Sequence, residues 1–281
     1  MKTNLYQKIG QQIKRAREEL GISQEDLAKE MGYNSPATIS HFESGQRKIS
    51  IGDLQEISNF LGLPLNFFLD TSPNTTSMQH FQLRAKDVRP SARKYVAEFL
   101  SFTHNNGGTP NQLANLKNLT PEEASDELLK ISDFPSPPVE PAKIADYLGI
   151  PVFDWDFPDE ISGIFVIENN RMSIGVNQHH PNVRQRFTVA HELGHFIYQG
   201  NESLFLDFNE SVIPTHFYDR THQILETKAN RFAANLLMPR AWVKNDFKNQ
   251  MELSFMARRY KVSEQAMWFR LINLKLVENT Y

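Results

Sequence analysis

Three clusters of helix-breaking residues, TSPNTTS at 71–77, HNNGGTP at 104–110 and FPSPPVEP at 134–141, constrain this chain, because no helix can run through them. The first reads as a domain boundary. At roughly 150 residues per domain, 281 residues suggest about two domains. Ahead of that boundary everything is helical. Leu5, Ile9, Ile13, Ala16 and Leu20 recur at helical spacing until Gly21 stops the run. Ser23 with Asp26 opens a second short helix, Ser35-Pro36 a third that ends at Gly45, and a fourth spans about 51–61. Residues 93–102 and 121–131 read as connecting helices. Past Pro141 come a short helix to Gly149, strand-like IPVFDW, then IFVIE and MSIGV around an Asn-Asn turn, and long helices at about 183–199 and 221–238.

Composition narrows the chemistry. With no cysteine, thiolate ligands, cysteine nucleophiles and disulfides are all excluded, so a metal site must draw on nine histidines, Asp and Glu. A net charge of −3 gives no global nucleic-acid signature, and any DNA-binding surface has to be a local patch. No apolar run approaches the roughly 18 residues that span a bilayer, and the N-terminus lacks a signal-peptide apolar block. A cytoplasmic protein without a membrane partner is expected.

Two short helices joined at Gly32-Tyr33-Asn34 form a helix-turn-helix pattern, with the first helix behind it. The third helix suits a major groove. It offers Ser35, Ala37, Thr38, Ser40 and His41 to bases, while Ile39 and Phe42 turn inward. Gln24, Arg47 and Lys48 are placed to touch phosphates, which fix register without reading sequence. The apolar end Pro64, Leu65, Phe67, Phe68 and Leu69 either packs on the first helix or forms a homodimer surface.

The second constellation is H-E-x-x-H. His191 and His195 lie one turn apart on a helix within RQRFTVAHELGHFIYQG, the spacing at which two imidazoles chelate one Zn²⁺. Gly194 between them lets another backbone approach closely. Catalytic zinc usually takes three protein ligands, and Glu226 in LETKANRFAANLLMP is the candidate third, beside a stripe of Leu225, Ala229, Phe232, Ala233 and Leu236. Asn230, one turn on, could orient a ligating imidazole. The bland alternative pairs Glu226 with Lys228 or Arg231. His179-His180 reads as solvated, and Tyr218, His216 and His222 are open options for an oxyanion donor. In the C-terminal MARRYKVSEQAMWFRLINL, helix-turn-helix-like spacing with Arg258, Arg259, Lys261 and Arg270 is read as packing.

Both constellations resemble known families. ISQEDLAKEMGY and ATISHFESGQRKISIGDLQEISNFLGLPLNFFL resemble the Cro/repressor-type, XRE-like regulators. RFTVAHELGH followed by ETKANRFAANLLMP resembles the ImmA/IrrE family of zinc metallopeptidases, with similarity across roughly 138–277. That resemblance implies His191, His195 and Glu226 as zinc ligands, Glu192 as general base, Asn230 as a neighbouring group, and MSIGVN as the sheet edge on which substrate adds. The expected fold is multidomain, an all-α helix-turn-helix domain plus an α+β zincin-like, gluzincin-like domain. The expected boundaries are 1–70 for DNA binding, 71–137 for linker and helical connector, and 138–281 for the peptidase. The implied function is a regulator that binds a double-stranded DNA operator and carries a zinc-dependent endopeptidase. It would cleave a repressor or itself in a stress, prophage or toxin–antitoxin response. The rival is a non-enzymatic regulator whose zincin-like domain senses a ligand or partner.

Overall fold

A computed structural model describes residues 5–20, 22–61, 63, 65–69, 90–110, 116–168, 170–198, 204–208 and 220–278. The chain divides into two compact units, residues 1–106 with 166–170, and residues 107–165 with 171–281.

The first unit is helical, with α1 (Leu5–Glu19), α2 (Gln24–Glu30), α3 (Ala37–Glu43), α4 (Ile51–Leu61), α5 (Leu65–Leu69) and α6 (Pro90–Asn106). The caps explain the starts. Ser23 and Asp26 form a reciprocal capping box on α2, each satisfying a backbone N–H that the helix leaves orphaned. At α3 the Ser35 hydroxyl accepts from the Ala37 amide. Ile9, Ile13, Ala16, Leu27, Ile39, Phe42, Leu54, Ile57 and Leu61 are buried at the helical spacing expected of them. Phe68 is buried and α5 packs on α1, so its inward side takes the packing alternative; Leu69 stays half-exposed. The helix at 90–106, which the sequence suggests is a connector, packs on α4 within this unit.

The second unit is α+β. It comprises α7 (Pro121–Ile131), α8 (Pro141–Tyr147), β1 (Val152–Trp155), β2 (Ile161–Glu168, whose residues 166–168 fall in the first unit), β3 (Arg171–Asn177), α9 (Asn182–Tyr198) and β4 (Leu204–Phe208). There follow α10 (Arg220–Leu237), α11 (Arg240–Lys248), α12 (Leu253–Tyr260) and α13 (Glu264–Asn273). The sheet order is β1-β3-β2-β4, with β1 parallel to β3 in the register Val152↔Ile174 to Trp155↔Asn177. Residues 161–166 of β2 are all buried, the run of a strand covered on both faces. Asn170, at φ +62°, lies between β2 and β3, where the Asn-Asn turn is expected. Helix α9 is buried without a break from Thr188 to His195, so it is a core helix rather than an amphipathic surface one. It packs chiefly against α10, and α10 packs in turn against α7, the other segment with the sequence of a connector. Strand β4 and helix α11 have no counterpart among the expected elements.

One expectation is overturned. MSIGVN is β3, which has neighbours on both sides; among the described residues the sheet edges are β1 and β4. A strand whose N–H and C=O groups are already paired on both sides has none left for a substrate. Among the described residues no helix is long and apolar enough to cross a membrane.

Candidate metal centre

The site is built where α9 and α10 touch. A Cβ at Gly194 would lie 2.7 Å from the Ala229 Cα and 3.1 Å from its Cβ, so glycine is what lets the two helices approach. Gly194 stands between His191 and His195, and Ala229 one turn after Glu226. This close approach therefore sets the distance between the candidate ligands. A Gly194→Val protein should lose about 1–3 kcal/mol of stability from overpacking, and at least about tenfold in metal affinity as Glu226 moves away. Thermal unfolding and competition with a metal chelator would measure both.

His191 Nε2 and His195 Nε2 are 2.9 Å apart. The Glu226 carboxylate lies 3.2 Å from the first and 3.3 Å from the second. Both imidazoles are buried, and three ligand atoms, one from each residue, lie within 4.8 Å of one another. In a tetrahedral zinc site with bonds of about 2.0–2.1 Å, ligand atoms are separated by roughly 3.3 Å. The donor set fits that spacing. His191 Nδ1 donates to Asn230 Oδ1 at 2.9 Å, which turns the Nε2 lone pair toward His195 and Glu226. Phe187 flanks the His191 ring and Phe205 stacks on His195, 4.3 Å between centroids, so both imidazoles are held in place. Both alternative partners for Glu226 are engaged elsewhere, since Arg231 pairs with Glu122 and Lys228 lies over the Tyr198 ring.

Electrostatics agree with the donor geometry. Burial works to lower the His191 pKa, but its hydrogen bond with Glu226 and the nearby carboxylates of Asp207, Glu226 and Glu192 outweigh this and push it up to about 10. The centre carries an excess of negative charge that calls for a cation. Glu192 is fully buried, with Oε1 3.2 Å from where a Cβ on Gly163 of β2 would sit. The same Cβ would meet Thr188 Cγ2 at 2.2 Å, so the absent side chain at 163 makes room for the carboxylate and for α9 beneath the sheet.

A pocket of about 540 Å³ opens beside the ligands, lined by His191, Glu226 and Asn230 together with apolar groups such as Phe187, Leu237 and Val262 and the polar Arg184, Thr188 and Ser263. Asp207 also lines it, from β4, accepting a 3.4 Å hydrogen bond from Thr188 Oγ1. Burial raises its pKa to about 6, with His191 opposing. Sequence reasoning missed Asp207 because it missed β4, although LFLDF is a short apolar run bounded by polar residues. His216 and Tyr218 lie outside the described residues, as does the side chain of His222. His179 is exposed and faces Asp156 at 2.6 Å; His180 is half-buried.

In the helical unit Ser35, Ala37, His41, Arg47 and Lys48 are exposed, and Thr38 and Ser40 half-buried. Arg47 lies over the Phe42 ring and Lys48 over the Tyr6 ring. The Gln24 amide nitrogen donates to Glu43 at 2.7 Å, within a buried cluster the sequence did not reveal. There Arg17 Nε and Nη2 donate to the two carboxylate oxygens of Glu43 at 2.5 and 3.1 Å, and Arg17 Nη1 donates to the Ile22 carbonyl at 2.8 Å.

Comparison with known proteins falls on these two places. Residues 145–271 match the family described as IrrE N-terminal-like domain, and residues 13–68 match the helix-turn-helix family. The radiation response metalloprotease IrrE of Deinococcus radiodurans is 43% identical over 56 residues, 20% of this chain and 16% of that protein. A Bacillus phage phi105 protein named uncharacterized immunity region protein 2 is 28% identical over 109 residues, 39% of this chain and 64% of its own length. An HTH-type transcriptional regulator of Sinorhizobium medicae is 30% identical over 93 residues, 33% of this chain and 63% of its own. The chain spans less than two thirds of the length of each of these relatives. Residues 13–68 thus match an XRE-type helix-turn-helix module, and residues 145–271, in the α+β unit, match an IrrE-like metallopeptidase domain.

Proposed function

We propose that this chain is a cytoplasmic DNA-binding transcriptional regulator with a zinc-dependent endopeptidase domain, cleaving a repressor protein or itself in a stress or prophage response. The observation that carries the reading is the convergence of His191 Nε2, His195 Nε2 and the Glu226 carboxylate at the wall of a pocket large enough for a peptide segment. These three residues hold the Zn²⁺, and Asn230 fixes the His191 tautomer. A bound Zn²⁺ supplies Lewis acidity, polarising a scissile carbonyl and acidifying water. Glu192 accepts the proton of the attacking water and passes it to the leaving amine. Its burial keeps that carboxylate out of bulk solvent until substrate arrives. With β3 closed on both sides, the edge strand beside the ligands is β4, whose Phe205 stacks on His195 and whose Asp207 lines the pocket. An extended substrate adds there. Incubating the zinc-loaded chain with the proteins encoded beside its gene tests this; a discrete, chelator-sensitive cleavage is expected, and intact proteins under all conditions would contradict it.

The helical unit binds a short palindromic operator as a homodimer, with α3 in the major groove and Gln24, Arg47 and Lys48 at phosphates. Replacing Thr38 and His41 should relax sequence preference, by about 1–3 kcal/mol for each base edge no longer read. Arg47→Ala should weaken all sequences alike and reduce the salt dependence by the equivalent of about one phosphate. Binding titrations at two salt concentrations on operator and scrambled DNA separate the two effects.

A further inference from the structure

Helix α9 carries two arginines, two residues apart, that are engaged very differently. Arg186 is buried, paired with Glu140, and donates to the Val139 carbonyl at 2.5 Å and the Lys261 carbonyl at 3.3 Å. Arg184 is half-buried and lines the pocket beside the ligands. Its Nη2 donates to the hydroxyl of buried Ser162 on β2 at 3.0 Å, and among the described residues it forms no ion pair. A guanidinium offers five N–H donors in a planar fork, so one bond to a neutral hydroxyl steers the group and leaves most of the fork open. Asp207 lines the same pocket, and the charge of Arg184 works to lower its pKa, but its hydrogen bond comes from Thr188 Oγ1 at 3.4 Å.

Placement gives this open cation a direction. Arg184, Thr188, His191 and His195 recur at i, i+4, i+7 and i+11, one face of the helix. Seven residues of helix put Arg184 about 10 Å along the axis from His191, the span of about three residues of extended chain. At the ligand end three carboxylates, Asp207, Glu226 and Glu192, outnumber the charge of a bound Zn²⁺. Among the described residues, Arg184 is the one lysine or arginine that lines the pocket. An acidic group on a bound peptide is therefore repelled at one end and attracted at the other, which sets the peptide's register.

We propose that Arg184 is a carboxylate-binding residue of this pocket, and that the peptide held there carries an acidic group about three residues from the scissile bond, on an Asp or Glu side chain or at its own C-terminus. This rests on the metallopeptidase reading above. A carboxylate meets the guanidinium fork with two parallel hydrogen bonds, which fix orientation as well as adding energy. Partial burial screens such a pair less than open water does.

The test uses the full chain loaded with Zn²⁺ and short alanine peptides capped with a hydroxamate, at the N-terminus in one series and at the C-terminus in the other, titrated by calorimetry. The hydroxamate anchors every peptide at the metal, and the second, third or fourth residue from it is Glu or the isosteric Gln. In one series Glu at about the third residue should bind about tenfold more tightly than Gln, and raising the salt should narrow the gap. In the N-terminally capped series, a Gln peptide ending at that residue in a free carboxylate or an amide separates the two sources. Tighter binding of the free acid assigns the site to a chain end as well, and equal binding assigns it to side chains. The readout is the Glu-to-Gln ratio within each protein, so a general loss of affinity in a variant cancels. Arg184→Gln should bring the ratio to about one, and Arg184→Lys should keep part of it. Arg184→Glu should turn the preference toward a Lys peptide, which a misfolded protein cannot do. Equal binding of Glu and Gln peptides in both series, or a ratio unchanged in Arg184→Gln, overturns the carboxylate site and leaves the metal centre standing. If no hydroxamate binds the zinc-loaded chain, the metallopeptidase reading fails and this proposal with it.

Discussion

A Glu192→Gln protein is expected to keep its fold, its metal and its operator, and to lose peptide cleavage by about 10²–10⁴-fold. Glutamine has the size of glutamate, so the space under Gly163 and beside Thr188 stays filled, and none of the three ligands is touched. What disappears is the carboxylate proposed to take a proton from water. DNA binding belongs to the helical unit, which Glu192 is not part of. The experiment therefore separates enzyme from sensor. If the α+β domain only senses a ligand, the Glu192→Gln strain should respond to the inducing stress as the wild type does; if it cleaves a repressor, induction should fail.

The second large effect lies in the helical unit. Arg17→Ala is expected to destabilise it by about 3–5 kcal/mol, because it leaves the buried Glu43 carboxylate with only the Gln24 amide against the cost of desolvation. Arg17→Met with Glu43→Leu, which replaces the pair by apolar groups of similar volume, should restore most of that stability. Glu43 ends α3, the helix proposed to enter the major groove, so the single variant should also weaken operator binding beyond what partial unfolding explains. Denaturant titration of residues 1–106 within the full chain, followed by operator binding under conditions where the variant is folded, checks both statements.

These two sites show what is legible in the sequence and what is not. The helices of the first unit carry their own punctuation, a capping box at Ser23 and Asp26 and apolar positions spaced by three and four. Their ends and inward faces can therefore be read locally. Arg17 and Glu43 are 26 residues apart and each looks like an ordinary surface charge, so nothing local announces that they are buried together. The metal constellation divides in the same way. H-E-x-x-H places two histidines on one helix face by spacing alone, and Gly194 signals a close approach. That the approaching backbone is Ala229, and that Glu226 thereby meets both histidines, depends on packing between helices. The family resemblance implies β3 as a sheet edge, yet it lies inside the sheet. Sheet order is set by long-range pairing that a strand's own residues do not encode. Strand β4 and helix α11 escape sequence reasoning for the same cause: short apolar runs acquire meaning only from what packs on them.

The most direct measurement of the central claim is the metal content of the purified full chain, beside that of Glu226→Ala and His191→Ala proteins shown to be folded. About one Zn²⁺ per chain is expected for the wild type, and a large loss in each variant, because removing one of three ligands from a site that already leaves a position open for water takes much of the affinity away. Variants that retain wild-type zinc, or a wild-type chain that binds none when zinc is supplied, would contradict the assignment of His191, His195 and Glu226 as a catalytic metal centre.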